Sequence, residues 1–214
     1  MDDSRPTVSG LKFGDFELAL EHSISVVPLI CATVLVPVGH WILNEPELIS
    51  DMTDWRQAAK DNFFARFPAS TTSFTEYLKT HSLLKTNVIL FMIYSEQVGF
   101  KGHLGLTQIT ARTAEIDAVM LSPSAQGQGL AKASLAALIL WAENSLGVDT
   151  LTLEVLSCNV PAINLYSKFG FEISTSTALK EVAEGTLKLL VDSKSGEKST
   201  GLCRILMIRR TDKS

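Results

Sequence analysis

The stretch from residue 114 to residue 157 limits the possible folds more than any other. Residues 114–121 (AEIDAVML) read as a strand, Ser122, Pro123 and Ser124 lead into Gln126-Gly127-Gln128-Gly129, and a long helix follows the glycines. Leu130, Ser134/Leu135, Leu138/Ile139, Ala142 and Leu146 recur at three-to-four spacing, which gives that helix one buried face, and Gly147 stands where a left-handed residue would close it. Residues 150–157 then alternate, with Leu151, Leu153 and Val155 on one side and Thr152 and Glu154 on the other, as in a strand. Strand, helix and strand in this order predict an α/β domain.

The rest of the chain continues in the same manner. Residues 11–22 read as an opening strand, and residues 48–65 as a helix that carries Met52, Trp55, Ala59 and Phe63 on one side and is capped by Ser50 and Asp51. A second helix is expected over 73–84, strands over 87–94 and 102–107 about a turn at Gly99, and a short helix over 161–169 opened by Pro161 and ended by Gly170. Residues 171–177 and 202–209 read as the last strands.

With 214 residues, 46% of them hydrophobic and no linker-like tract, the chain is expected to form one domain over 1–214. A net charge of −4 argues against gripping nucleic acid by bulk charge. Cys31, Cys158 and Cys203 match neither a disulfide framework nor a zinc spacing, which predicts a reducing, cytoplasmic setting and no metal. Residues 23–44 carry no Asp, Glu, Lys or Arg and are long enough to span a bilayer. Pro28, Pro37, Gly39 and Asn44 interrupt them, however, so buried strand and loop are expected rather than a membrane span.

A strand, a glycine turn and a helix bring free backbone amides to the positive end of a helix, a ready site for phosphate oxygens. A dinucleotide turn needs a third glycine where Lys132 stands, and no Walker A string occurs anywhere. Glycines are also common at strand-to-helix turns for steric reasons alone, so a plain turn stays open. The flanking residues add more. Gln126-Gly127-Gln128-Gly129-Leu130-Ala131 resembles the Q/R-x-x-G-x-G/A pyrophosphate loop of the GNAT superfamily of N-acetyltransferases. Leu153-Glu154-Val155, then Asn159, Ala162, Leu165, Tyr166 and Phe169-Gly170-Phe171, resemble its second signature, N-x-x-A-x-x-L-Y-x-x-x-G-F. The two cover about residues 114 to 173 in the family's order.

The resemblance implies a GNAT fold: a central mixed, mostly antiparallel twisted sheet flanked by helices and splayed between the family's fourth and fifth strands. An acceptor-pocket half is then expected over about 1–110 and a CoA-binding half over about 111–214. Acetyl-CoA or another short acyl-CoA is the implied co-substrate. Its pyrophosphate would sit on the amides of Gln126, Gly127, Gln128, Gly129, Leu130 and Ala131, and its arm along Val119, Met120 and Leu121, beside Asn159, Ala162 and Tyr166. The amide of Val119 or Met120 would face the thioester carbonyl, and Tyr166, at the family's tyrosine position, would protonate the leaving thiolate; a core-anchoring tyrosine is the alternative.

Glu115 and Asp117 are two apart on one strand and share a face, so Glu115 is a candidate base and Asp117 a candidate partner for the acceptor's cation, against the plainer reading of solvated acids. His103 is a further candidate base, or a structural histidine. Asp54-Trp55-Arg56, the following Phe-rich helix, Gly102-His103-Leu104-Gly105-Leu106 and Glu115-Ile116-Asp117 look like GNAT members that acylate amino sugars, often nucleotide-linked, for bacterial surface polysaccharides. On that likeness the acceptor is expected to be a small amine of this kind, with Trp55 stacking on a sugar or base, unless it belongs to the core, and Arg56 holding phosphate. Protein or peptide acylation and a non-catalytic CoA-binding module are the alternatives. The sequence leaves the oligomeric state, including a homodimer, open.

Overall fold

A computed structural model describes residues 7–26 and 32–211. Cys31, Pro28 and the middle of the uncharged stretch therefore lie outside the described residues. Ten strands form one sheet in the order β1 (Ile24–Val26), β2 (Thr33–Pro37), β4 (Ile89–Ser95), β5 (Gly99–Thr107), β6 (Thr113–Leu121), β7 (Thr150–Leu156), β10 (Cys203–Arg210), β8 (Glu172–Glu184), β9 (Leu187–Asp192) and β3 (Ala65–Arg66). Only the β6–β7 pair is parallel. The crossover between them is α4 (Leu130–Trp141), continued by a wider π-type turn over Ala142–Leu146. This is the α/β fold with a mixed sheet that the sequence predicts.

The period-2 pattern of the central strands sends alternate side chains into two cores. Ile89, Phe91 and Ile93 of β4 pack under α4 with Leu135, Leu138 and Ile139. Leu90 and Met92 point the other way, to Met52 of α2 (Pro46–Ala58) and to Phe74 of α3 (Thr71–Tyr77), which a π-type turn extends over Leu78–Leu83. At the far end of α4, Gly147 takes a left-handed φ of 72° and the Val148 N–H reaches back to the Ala142 carbonyl, ending the helix as the glycine predicts. The Arg209 guanidinium of β10 pairs with Glu143 of the π-type turn after α4 and ties that turn to the sheet.

Three expectations are corrected. Residues 11–22 contain no strand; they hold a 3-10 turn and the helix α1 (Phe16–Glu21), because the Asp15 carboxylate accepts the Leu18 N–H at 3.1 Å and caps a helix there. Helix α2 begins at Pro46, an unrecognised first-turn proline, so Ser50 and Asp51 lie inside it. It also stops at Ala58, and Phe63 sits beyond it, in a strap whose strand β3 pairs with β9 (Ala65↔Leu189, Arg66↔Lys188). The hairpin β8–β9 contains a strand that the sequence reading did not anticipate. Of the uncharged stretch, β2 is buried, with Leu35 and Val36 fully covered, and no helix among the described residues is long and apolar enough to cross a membrane.

Close strand approach in the site half depends on Gly105, where an added Cβ would lie 2.4 Å from the Ile89 carbonyl oxygen of the neighbouring strand. Gly105→Ala must therefore push β4 and β5 apart. A loss of about 1–3 kcal/mol, or more, is expected, read as a lower urea midpoint at unchanged m-value.

Candidate functional site

Strands β6 and β7 pair at three positions only, Thr113↔Thr150, Ala114↔Leu151 and Glu115↔Thr152, and then separate. The gap opens a cleft of about 210 Å3 walled by Ile116 to Leu121 on one side, Glu154, Val155, Asn159 and Tyr166 on the other, and Phe63 and Phe64 of the strap above. Gln126 closes its end at the glycine turn.

Gly127 and Gly129 take φ values of 76° and 78°, a region that other residues enter only with strain. A Cβ at either would meet nothing within 4 Å, so the turn presents bare backbone to open space. Gly129 is the N-cap of α4 and makes no side-chain cap bond. The first amides of the helix have no intrahelical acceptor and stand at the positive end of its dipole. The Gln128 side chain is turned to the loop itself, donating to the Ser124 carbonyl at 2.9 Å, and the Leu130 side chain is buried in the core. Those two residues, like half-buried Ala131, can therefore serve an anion through backbone.

Strand β6 changes direction at Ala118, whose φ is 53°, and its register against β5 shifts there between His103 and Gly105. The Asp117 carboxylate accepts the Ala118 N–H at 2.7 Å and stabilises this bulge. Beyond it, the Ser122 N–H donates to Lys101 of β5 at 2.8 Å. Strand alternation then turns the Met120 amide to β5 and the Val119 and Leu121 amides to the cleft. Of the two amides expected at a thioester carbonyl, Val119 is the one on the cleft side.

Tyr166 lies on α5 (Val160–Ser167), whose N-cap is Asn159; the Asn159 side chain accepts the Ala162 N–H at 3.3 Å. Ala162 packs against the core. The helix is anchored at its other end by the Arg209 Nε–H, which donates to the Phe169 carbonyl at 2.8 Å. The Tyr166 ring meets Phe171 edge-on at 6.1 Å and is buried. Burial first, and the Asp117 charge second, push its phenol up to about 12, so it keeps its proton at neutral pH.

A second chamber, of about 280 Å3, adjoins the cleft and shares Phe63, Phe64, Asp117, Ala118 and Met120 with it. Phe67, Phe74, Tyr77 and His81 complete an aromatic wall, with Arg56 and His103 set into it. Arg56 donates from Nη2 to the Ala65 carbonyl at 2.7 Å and lies 3.4 Å over the Phe63 ring. Arg204 holds the strap from the other side, with its guanidinium 4.8 Å from the Phe64 ring and ion-paired to Glu154 at 2.5 Å and Asp192 at 3.1 Å. The phenylalanine-rich segment is expected from the sequence to be helix, and none of its phenylalanines a site residue; the signal for a strap is the run Phe63-Phe64-Ala65-Arg66-Phe67 before Pro68, a proline that favours extended chain ahead of it.

Other expected site residues separate by position. Trp55 is buried in the core, lines neither cavity, and stacks on His103 at 6.5 Å, so it supports the wall from behind. His103 Nδ1 lies 2.7 Å from the Ala118 carbonyl oxygen, an acceptor only, so Nδ1 carries the proton. Burial lowers the His103 pKa to about 4 and keeps the ring neutral. Asp117 lines both cavities, whereas Glu115 lines neither. Glu115 accepts the Gln108 amide at 2.6 Å, and its carboxyl is raised to about 7 by burial, then by Asp117 and Glu154. Among the described residues no group of three or more His, Cys, Asp or Glu is placed to hold a metal ion.

The profile of the acetyltransferase (GNAT) family matches residues 50–171, more than half of the chain and the whole of this cleft. The chain belongs to the GNAT family. An N-acetyltransferase 9-like protein of Nematostella vectensis is 36% identical over 70 residues, 32% of this chain and 35% of that protein. The chain thus spans about a third of the length of the curated relatives it matches. Among solved structures, a spermidine N-acetyltransferase from Vibrio cholerae, in complex with CoA and spermine, superposes with a TM-score of 0.64 at 18% identity, over 85% of this chain and 96% of that one. The ribosomal L7/L12 α-N-protein acetyltransferase in complex with CoA gives 0.63 at 17%, over 90% and 99%. At such identities the likeness is one of fold.

The Glu115 carboxyl also ties stability to pH. Its folded pKa of about 7 lies above the ordinary value of 4.5, so the folded protein holds the proton more tightly than the unfolded chain does. This contribution is present below about pH 4.5 and is lost as pH rises through about 7. Urea midpoints at pH 5, 6, 7 and 8 are expected to fall from this source across that window, and Glu115→Gln should flatten the slope.

Proposed function

We propose that the protein is an N-acyltransferase that moves an acetyl or other short acyl group from acyl-CoA to a primary amine. The observation that carries this reading is the meeting of two cavities at Asp117, Ala118 and Met120: a cleft between parted strands, headed by a bare glycine turn, and an aromatic chamber behind it. The glycine turn fits an anionic pyrophosphate, since the first amides of α4 have no intrahelical acceptor and nothing stands where side chains of Gly127 and Gly129 would, although the Gln126 N–H is already given to the Pro123 carbonyl. Gln126 to Ala131 would hold that end, and Val119, Leu121, Asn159 and Ala162 would border the arm. Bound acyl-CoA supplies an acyl thioester, whose transfer to a neutral amine forms an amide and releases a thiol.

The chain's own residues divide the remaining work. The Val119 N–H is the donor for negative charge on the acyl oxygen, a position worth roughly 3 kcal/mol. Asp117 holds the acceptor's ammonium at the junction. Glu115, near neutrality and on the same strand face, takes the amine's proton through water. Tyr166 keeps a phenolic proton ready for the departing thiolate. His103 supplies an uncharged wall and does not serve as a base, because burial lowers its pKa to about 4 and so makes the enclosed ring a weak proton acceptor. The acceptor end of the site favours a small amine with an apolar body. An amino sugar, the acceptor first expected, would leave several hydroxyls facing phenylalanine rings, each at a cost in lost hydrogen bonds.

Two substitutions test this reading. Gly129→Asp should abolish CoA binding by calorimetry while the protein stays folded, because it strains a left-handed position and sets a carboxylate where phosphate belongs; unchanged affinity would reject the turn as the binding site. Tyr166→Phe should lower kcat by about 10²-fold or more with little change in CoA affinity. Full turnover in a slightly destabilised Tyr166→Phe protein would instead make the hydroxyl structural.

A further inference from the structure

The acceptor chamber contains a cation without a counter-ion. Arg56 is half-buried in an otherwise aromatic wall, and its one hydrogen bond among the described residues is from Nη2 to the Ala65 carbonyl. No carboxylate of the described residues pairs with it; the ion pairs among the described residues are all elsewhere. Burial is the leading influence on the guanidinium, lowering its pKa to about 10, and the other is the phenol of Tyr77, itself neutral at pH 7.

A desolvated guanidinium with unspent N–H groups is stabilised most by an oxyanion that can accept two of them side by side. Phe63 and Phe67 flank the charge on its faces, 3.4 Å and 5.4 Å from Cζ, which leaves the edge of the fork for such a partner. The site therefore has two poles: Asp117 at the junction, suited to an ammonium, and Arg56 in the chamber, suited to an anion. Between them the walls are aromatic.

We infer that Arg56 reads an anionic group on the acceptor, and that the acceptor is a small apolar amine carrying its own carboxylate, an amino acid in chemical type. This rests on the acyltransfer reading and deepens it. A polyamine would bring further positive charge to Arg56, and a peptide amino terminus would offer it only a neutral carbonyl. A phosphorylated sugar would satisfy the cation but place hydroxyls against the phenylalanines.

The experiment uses the full chain with acetyl-CoA and five amines: L-phenylalanine, L-phenylalaninamide, 2-phenylethylamine, spermidine and glucosamine 6-phosphate. The expected kcat/KM for L-phenylalanine exceeds that for the amide and for 2-phenylethylamine by about 10- to 100-fold, the span of a charge-assisted hydrogen-bonded pair. In Arg56→Gln the ratio should fall towards one, and Arg56→Lys should retain part of it. Calorimetry of L-phenylalanine against the protein saturated with CoA gives a readout independent of turnover and should show the same dependence on Arg56.

Equal use of the three phenyl amines by the unaltered protein, preference for spermidine or glucosamine 6-phosphate, or no binding of L-phenylalanine would each overturn the inference. If Arg56→Gln fails to fold, the substrate ratios and calorimetry of the unaltered protein still decide. Loss of the wider reading looks different: the protein would bind no CoA, or would bind L-phenylalanine through Arg56 and acylate none of the five.

Discussion

The parting of β6 from β7 after three residue pairs is the constraint on which the rest of the site depends. A parallel pair continued along its whole length would satisfy the backbone of both strands and leave no space between them. Here the bulge at Ala118 turns β6 away, so that backbone donors such as the Val119 N–H face a cleft rather than a neighbouring strand. Unpaired donors at this depth are costly unless a ligand or water meets them. The same divergence places the glycine turn at one end of the cleft and Tyr166 at its side.

The strap over the cleft is held by two cations that use aromatic faces as well as carbonyls and acids. Arg56 approaches it from α2 through Phe63 and the Ala65 carbonyl, and Arg204 from β10 through Phe64. Cation–ring contacts of this kind contribute about 0.5–2 kcal/mol each, more when desolvated. Their positional effect is larger than that figure suggests, because Phe63 and Phe64 line both cavities and so stand between the cleft and the chamber. The short β3–β9 pairing supplies a third attachment.

Burial also sorts the titratable groups into distinct states at one pH. Tyr166 is kept protonated, His103 is kept neutral, and Glu115 is brought near neutrality, all with desolvation as the leading cause. Three ordinary side chains around the two cavities thus hold different protonation states because their environments differ.

Much of this was legible in the residues themselves. The strand, glycine turn and helix from 114 onward follow from periodicity and from two glycines that must take left-handed φ, and Gly147 and Gly170 end their helices for the same local reason. Local patterning cannot report what a side chain meets from a distant part of the chain. Trp55 at helical spacing suits a substrate platform or a core equally, and only the packing of α2 on β5 puts it behind His103. Phe63 continues the apolar stripe of α2 in sequence, yet pairing with β9, more than a hundred residues away, draws its segment off the helix and over the cleft. The bulge at Ala118 has no glycine to announce it. The sequence by itself determined the glycine turn and the strand and helix on either side of it, because these depend on neighbours within a few positions; the chamber, its unpaired cation and the proton affinities of its walls arise from contacts and desolvation that exist only once the sheet has closed.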